Sequence, residues 1–147
     1  SFTLPKNIYI IGTMNTTDRS IALMDVALRR RFAFIDIVPD SGIIDTVPHD
    51  TGNVDLKKLM EALNRTITEE LGRDYAIGHS YFLNHNSISQ IRYMWYYSIL
   101  PLLTEYFYDS GRLQKIIPSF YDGSQVIRFN DDKQFIEALE KIYGEDS

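Results

Sequence analysis

The hydrophobic period of this chain changes once, near residue 50, and that change limits the folds open to it. Before it, apolar residues come in short continuous runs: Ile8-Tyr9-Ile10-Ile11, and Phe32-Ala33-Phe34-Ile35 continuing past Asp36 to Ile37 and Val38. A run without alternation reads as a strand covered on both faces, as in a parallel sheet. Between the runs, Leu23, Met24, Ala27 and Leu28 fall at helical spacing over residues 19–31. Strand, helix, strand is the pattern of a right-handed parallel crossover. After residue 50 three segments show apolar spacing of three and four. One predicted helix carries Leu56, Leu59, Met60, Leu63, Ile67 and Leu71 and is closed by Gly72. A second runs from Ile88 to about Tyr108, with Ile91, Met94, Trp95, Ile99, Leu102, Leu103 and Phe107 inward. A third starts at Asn130 and uses Phe135, Ile136, Leu139 and Ile142. The expected fold class is an α/β fragment followed by an all-α lobe. Two parallel strands are not a complete sheet, so the sheet reads as unfinished in this chain.

The boundaries follow from composition. Residues 1–40 form the α/β part, 41–53 a linker and 54–147 the helical lobe. The stretch 39–53 holds two Pro, two Gly and four Asp or Asn, which favour turns. Asn53 is the expected cap of the first lobe helix, and Ser87 with Gln90 forms a capping-box pattern for the next. Pro101 should kink that helix, because it lacks an N–H and its ring crowds the carbonyl of Tyr97. Residues 75–83 read as a loop or short strand. Residues 111–129 read as loop, with a short strand near Val126–Phe129.

Composition removes several function classes. There is no Cys, which excludes a disulfide scaffold, a Cys zinc site and a thiol nucleophile. The apolar runs fall far short of the roughly 18 residues that span a bilayer, so no membrane role is expected and the cytoplasm is the expected location. The net charge of −5 argues against a chain that is basic throughout. Positive charge gathers instead at Arg29-Arg30-Arg31.

Four groups of residues could carry chemistry. Asn15, Asp18 and Arg19 lie just beyond the first apolar run, where open α/β sheets place ligands. An amide there can hold a water or a phosphate oxygen, and Arg can bind phosphate. The plainer reading is a helix cap beside a solvated arginine. The arginine triplet fits a finger reaching a neighbour's phosphate, or merely compensation of a helix dipole. Gly78-His79-Ser80-Tyr81-Phe82 places His beside Ser, but adjacent residues rarely face each other as a hydrolase pair; a turn with Tyr81 and Phe82 in the core is the alternative. Three scattered His make no metal spacing. The remaining carboxylates, Glu69-Glu70 among them, read as solvated helix faces. No G-x-x-x-x-G-K-[ST] loop occurs, and Asp36 has no following Glu to make a magnesium-binding strand end.

Ile10-Ile11-Gly12-Thr13-Met14-Asn15-Thr16-Thr17-Asp18-Arg19-Ser20, running on to Asp25-Val26-Ala27-Leu28-Arg29-Arg30-Arg31-Phe32, resembles the signature of McrB-type AAA+ NTPases. Gly78–Phe82 and Ile99–Phe107 are similar to later segments of the same family. The resemblance implies the end of an AAA+ parallel core followed by a helical lid, with the phosphate loop and acidic strand upstream of residue 1. It implies that Asn15 is the sensor-1 residue, that Asp18 and Arg19 complete the signature, and that Arg30 and Arg31 act in trans on a neighbour's nucleotide. Arg92 is the candidate for a lid arginine touching nucleotide, against a solvent-facing role. The cofactors implied are GTP and Mg2+. The implied partners are identical subunits in a ring, a separate McrC-type nuclease, and DNA, in restriction of 5-methylcytosine-containing DNA. The isolated chain should be inactive and should bind none of these cofactors. A remodeller of protein substrates and a non-catalytic helical interaction module remain the alternative readings.

Overall fold

The computed structural model describes residues 5–14, 30–49, 52–108 and 111–144. The chain divides into two units, residues 1–36 and 37–147.

In the first unit neither apolar run forms a strand among the described residues. Tyr9 and Ile11 are each 93% exposed and Ile35 is 86% exposed. The exposed run continues into the second unit through Ile37 and Val38. Neither of the two expected strands is thus seen among the described residues. A strand of a parallel sheet is held by ladders to its neighbours and by helices over both faces, and the described residues supply neither. The helix expected over 19–31 lies outside the described residues except for Arg30 and Arg31, which form part of a turn.

The second unit opens on structure where composition suggested a linker. A 3-10 turn at Ser41–Ile43 leads into an antiparallel hairpin of β1 (Val47–His49) and β2 (Gly52–Val54). Val47 pairs with Val54 and both are buried, while the next pair, Pro48 and Asn53, is exposed. This is the period-two alternation of a half-covered hairpin, hidden in the sequence by its Pro, Gly and Asn content.

Helix α1 (Leu56–Leu71) starts at Asp55 rather than Asn53. The Asp55 carboxylate accepts from the Lys58 amide at 2.9 Å, a cap worth about 1 kcal/mol. Leu56, Leu59, Met60, Leu63 and Ile67 are buried as their spacing predicts, and Gly72 ends the helix at φ 101°, where a side chain would strain the backbone. Asn64 holds the following loop to the helix: its amide donates to the Ile77 carbonyl at 2.9 Å and its carbonyl accepts from the Ile77 amide at 2.6 Å. Residues 75–83 contain no strand; they hold the end of one 3-10 turn, Arg73–Tyr75, and all of a second, His79–Phe82.

The second long helix is interrupted. Helix α2 (Ile88–Met94) is capped by Ser87, which accepts from the Gln90 amide at 3.3 Å, while Gln90 reaches back to the Asn86 amide at 2.7 Å. A π-helical turn, Trp95–Ile99, then joins it to α3 (Leu100–Tyr106). The Leu100 amide donates to the Trp95 carbonyl, five residues back. Pro101 follows at once. The helix accommodates the ring by widening its ladder ahead of the proline, a known alternative to a simple break. Trp95 and Tyr96 are both buried, as are Ile99 and Leu100.

Residues 111–129 are more ordered than expected, with α4 (Leu113–Ile116), a 3-10 turn at Pro118–Phe120, and a tight hairpin of β3 (Tyr121–Asp122) and β4 (Gln125–Val126). Helix α5 (Asp132–Tyr143) is capped by Asp131, and Phe135, Ile136, Ala138 and Leu139 are buried against α1 and the 3-10 turn. Phe120 is the hub of this core. Its ring lies 4.6 Å from Trp95, 6.3 Å from Tyr96, 5.6 Å from Phe129 and 6.1 Å from Phe135, centre to centre.

Tyr143 ties the last helix to the start of α1: its hydroxyl accepts from the Asp55 amide at 3.4 Å. Burial pushes its phenol up to about 12, against the pull of that hydrogen bond. The folded chain therefore keeps this proton above pH 10, where the unfolded chain gives it up. The contribution is complete below pH 10 and is lost as pH rises from 10 to 12. Tyr143→Phe is expected to flatten this alkaline loss by about 1 kcal/mol, allowing for solvent at the half-buried ring. Urea midpoints of both proteins at pH 8, 10 and 11 check it.

Candidate functional site

Of the residues singled out by sequence, Asn15, Asp18 and Arg19 lie outside the described residues. Arg30 and Arg31 are described, and both are exposed. Among the described residues no group of three or more His, Asp or Glu could hold a metal ion. No described helix is long and apolar enough to cross a membrane.

Arg92 is not the solvent-facing arginine that its helix position suggested. Its guanidinium pairs with Asp132 and lies 5.4 Å from the centre of the Phe135 ring. Its Nε is buried without a hydrogen-bond partner. The side chain thus joins α2 to the start of α5, holding charge against an aromatic face.

The Gly78–Phe82 segment resolves into separate roles. Phe82 is buried, whereas Tyr81 is 41% exposed, contrary to its expected place in the core. His79 Nδ1 accepts from the Asp40 amide at 3.0 Å, and Ser80 is exposed. The His79 ring therefore fastens the start of the second unit to this turn. Nearby, Ser41 donates to Glu61 at 2.5 Å and Asp40 accepts from the Gly42 amide at 2.8 Å, so the 40–43 turn is fixed on both sides.

One cluster was missed from sequence. Tyr93 and Tyr97 stack on the outer face of the interrupted helix, with centres 4.7 Å apart. Arg128 lies 5.2 Å from the Tyr96 ring and 5.6 Å from the Tyr97 ring. A groove of about 530 Å³ runs beside them along Leu100, Pro101, Thr104 and Val126. The Tyr96 hydroxyl accepts from the Phe129 amide at 2.8 Å, and burial raises its phenol above the usual value despite that bond and the nearby Arg92 and Arg128 charges. The spacing of Tyr93 and Tyr97 gave a signal for the stack. Nothing local placed Arg128 over it.

The helices carry the decisive comparison. Residues 55–116 match the McrB alpha-helical lid domain family. The chain is of McrB type, and residues 55–116 are its helical lid. A curated relative is similar to this chain: the Type IV methyl-directed restriction enzyme EcoKMcrB subunit of Escherichia coli (strain K12) is 40% identical over 130 residues, covering 78% of this chain. The chain spans 28% of that relative's length. The matched lid ends at Ile116, in α4, whereas the lid core does not: Phe120, Phe135 and Leu139 beyond it are buried in the same cluster as Trp95 and Leu63.

Proposed function

We propose that this chain serves as the sensor-1, arginine-finger and lid portion of a ring-forming AAA+ GTPase that drives DNA translocation in restriction of methylated DNA. The match of residues 55–116 to the McrB lid carries this reading, and the similarity to the E. coli restriction subunit supports it. In this reading, nucleotide is held mainly by a phosphate loop elsewhere in the complete subunit, with Mg2+ beside it. Asn15 orients the attacking water in cis, with Asp18 and Arg19 completing the catalytic signature. Arg30 and Arg31 serve the neighbouring subunit. Arg92, already engaged by Asp132, stabilises the lid rather than binding nucleotide. The assembly works in the cytoplasm with copies of itself, a McrC-type nuclease and DNA.

The chain of 147 residues is expected to show no multiple-turnover hydrolysis of GTP or ATP, since it has no phosphate-loop motif. A complete subunit carrying this segment is expected to hydrolyse GTP. There, Asn15→Ala should lower turnover about 10²-fold while nucleotide binding stays nearly intact, because water positioning matters chiefly in the transition state. Turnover by residues 1–147 alone, or an unaffected Asn15→Ala subunit, contradicts the assignment. A protein remodeller of the same family would hydrolyse nucleotide without DNA stimulation, and a pure interaction module would not hydrolyse it at all.

A further inference from the structure

A ring of polar links closes where the second unit begins. On α1, Asn64 holds Ile77 by both backbone groups, and Glu61 accepts from Ser41. Just past Ile77, His79 accepts through Nδ1 from the Asp40 amide at 3.0 Å. The links thus run from α1 to Ile77, along the backbone to His79, across to Asp40, and back to α1 through Ser41. An accepting ring nitrogen carries no proton, so in this arrangement the His79 proton sits on Nε2. Along the chain, this ring lies directly after the boundary between the units. The first unit ends at Asp36 and the chain is fastened again at Asp40, which leaves residues 37–39 as the free connector. Ile37 and Val38 are exposed, while Pro39 fixes its own φ and biases Val38 to extended backbone. Without the links at Asp40 and Ser41, the first firm hold is the burial of Ile44, and the connector covers residues 37–43.

We propose that His79 is a positioning residue, backed by the Ser41–Glu61 bond, whose hold on Asp40 keeps the connector short and so couples the helical lid to nucleotide turnover. This rests on the function proposed above, in which the residues acting on nucleotide precede the connector and the lid follows it. His79 acts here through the Asp40 backbone, not through nucleotide. Fully extended, residues 37–39 span roughly 10 Å and residues 37–43 roughly 24 Å. The effective concentration of tethered groups falls roughly as the −3/2 power of the free length. Lengthening the connector from 37–39 to 37–43 therefore lowers it about threefold to fourfold.

The Nδ1 acceptor allows a test by rescue. The Oδ1 of an asparagine stands as far along its side chain as the Nδ1 of a histidine, whereas the Oε1 of a glutamine stands one bond further out. Amide exchange of the 147-residue chain, followed by NMR, is expected to show the Asp40 amide protected in the native chain and in His79→Asn, and unprotected in His79→Ala and His79→Gln. In a complete subunit, Ser41→Ala with His79→Ala should lower kcat for GTP about threefold to fourfold per folded ring. Ser41→Ala with His79→Asn should restore it, and Ser41→Ala with His79→Gln should not. Inserting Gly-Ser-Gly-Ser between Val38 and Pro39 lengthens the connector by the same amount without touching the lobe, and should reproduce the loss. A link that only stabilised the lobe would move urea midpoints and leave kcat per folded ring unchanged. An unprotected Asp40 amide in the native chain, Asn and Gln variants that behave alike, or an insertion without effect overturns the proposal. A native subunit that does not hydrolyse GTP, or is indifferent to Asn15→Ala, removes the proposed function and this proposal with it. Hydrolysis that depends on Asn15 but ignores the His79 variants and the insertion removes this proposal alone.

Discussion

Replacing Arg31 with Ala in a complete McrB-type subunit is expected to lower GTP turnover by up to about 10³, the scale of a true arginine finger. Arg30→Ala should act in the same direction. Both side chains are exposed in the structure, and a long exposed guanidinium can reach a neighbour's phosphate. The competing account is compensation of a helix dipole, which is worth about 1 kcal/mol or less at an exposed site. It predicts a small loss of stability and an unchanged turnover per folded ring. The two accounts separate in mixed rings. One variant lacks the phosphate-loop lysine and the other lacks Arg31, and each alone is inactive. Where they meet, an intact nucleotide site faces an intact arginine, so mixing should restore turnover. Mixed rings that form and stay inactive would remove the trans assignment and leave dipole compensation as the better account.

Phe120→Ala is expected to cost about 3–5 kcal/mol, a large part of the 5–15 kcal/mol that holds a domain of this size together. Phe120 lies outside the segment matched to the lid family, yet it is fully buried and its ring meets Trp95, Tyr96, Phe129 and Phe135. Its loss leaves a cavity bordered by rigid rings, which cannot collapse readily. Phe135→Ala should fall in the same range, because it also removes the surface beneath Arg92. Lys57→Ala, an exposed position on α1, should stay within about 0.5 kcal/mol. Urea unfolding of the chain measures all three. A Phe120→Ala cost close to that of Lys57→Ala would mean that residues 117–143 are not part of the lid core.

The same residues show why the lobe was legible in outline. Leu56, Leu59, Met60, Leu63 and Ile67 recur at helical spacing, and burial follows directly from that periodicity. Ser87 and Gln90 announced the second helix because capping is a local interaction. The hairpin at 47–54 was misread because its strands are three residues long and rich in turn formers, too short for alternation to show. Tyr81 was misplaced because a 3-10 turn gives no reliable face.

By itself the sequence determined the longer helices of the lobe but not α4, their caps within two residues, and the resemblance carried by Ile10 to Phe32 and by two later segments. Those features depend on spacing along the chain, and spacing is what a sequence records. Tertiary structure alone decided that Pro101 is met by a π turn and that Trp95 and Tyr96 are both buried. It decided that Arg92 is spent on Asp132, 40 residues away. Each of these depends on which helices pack together, and packing joins residues whose separation in sequence carries no signal of their contact.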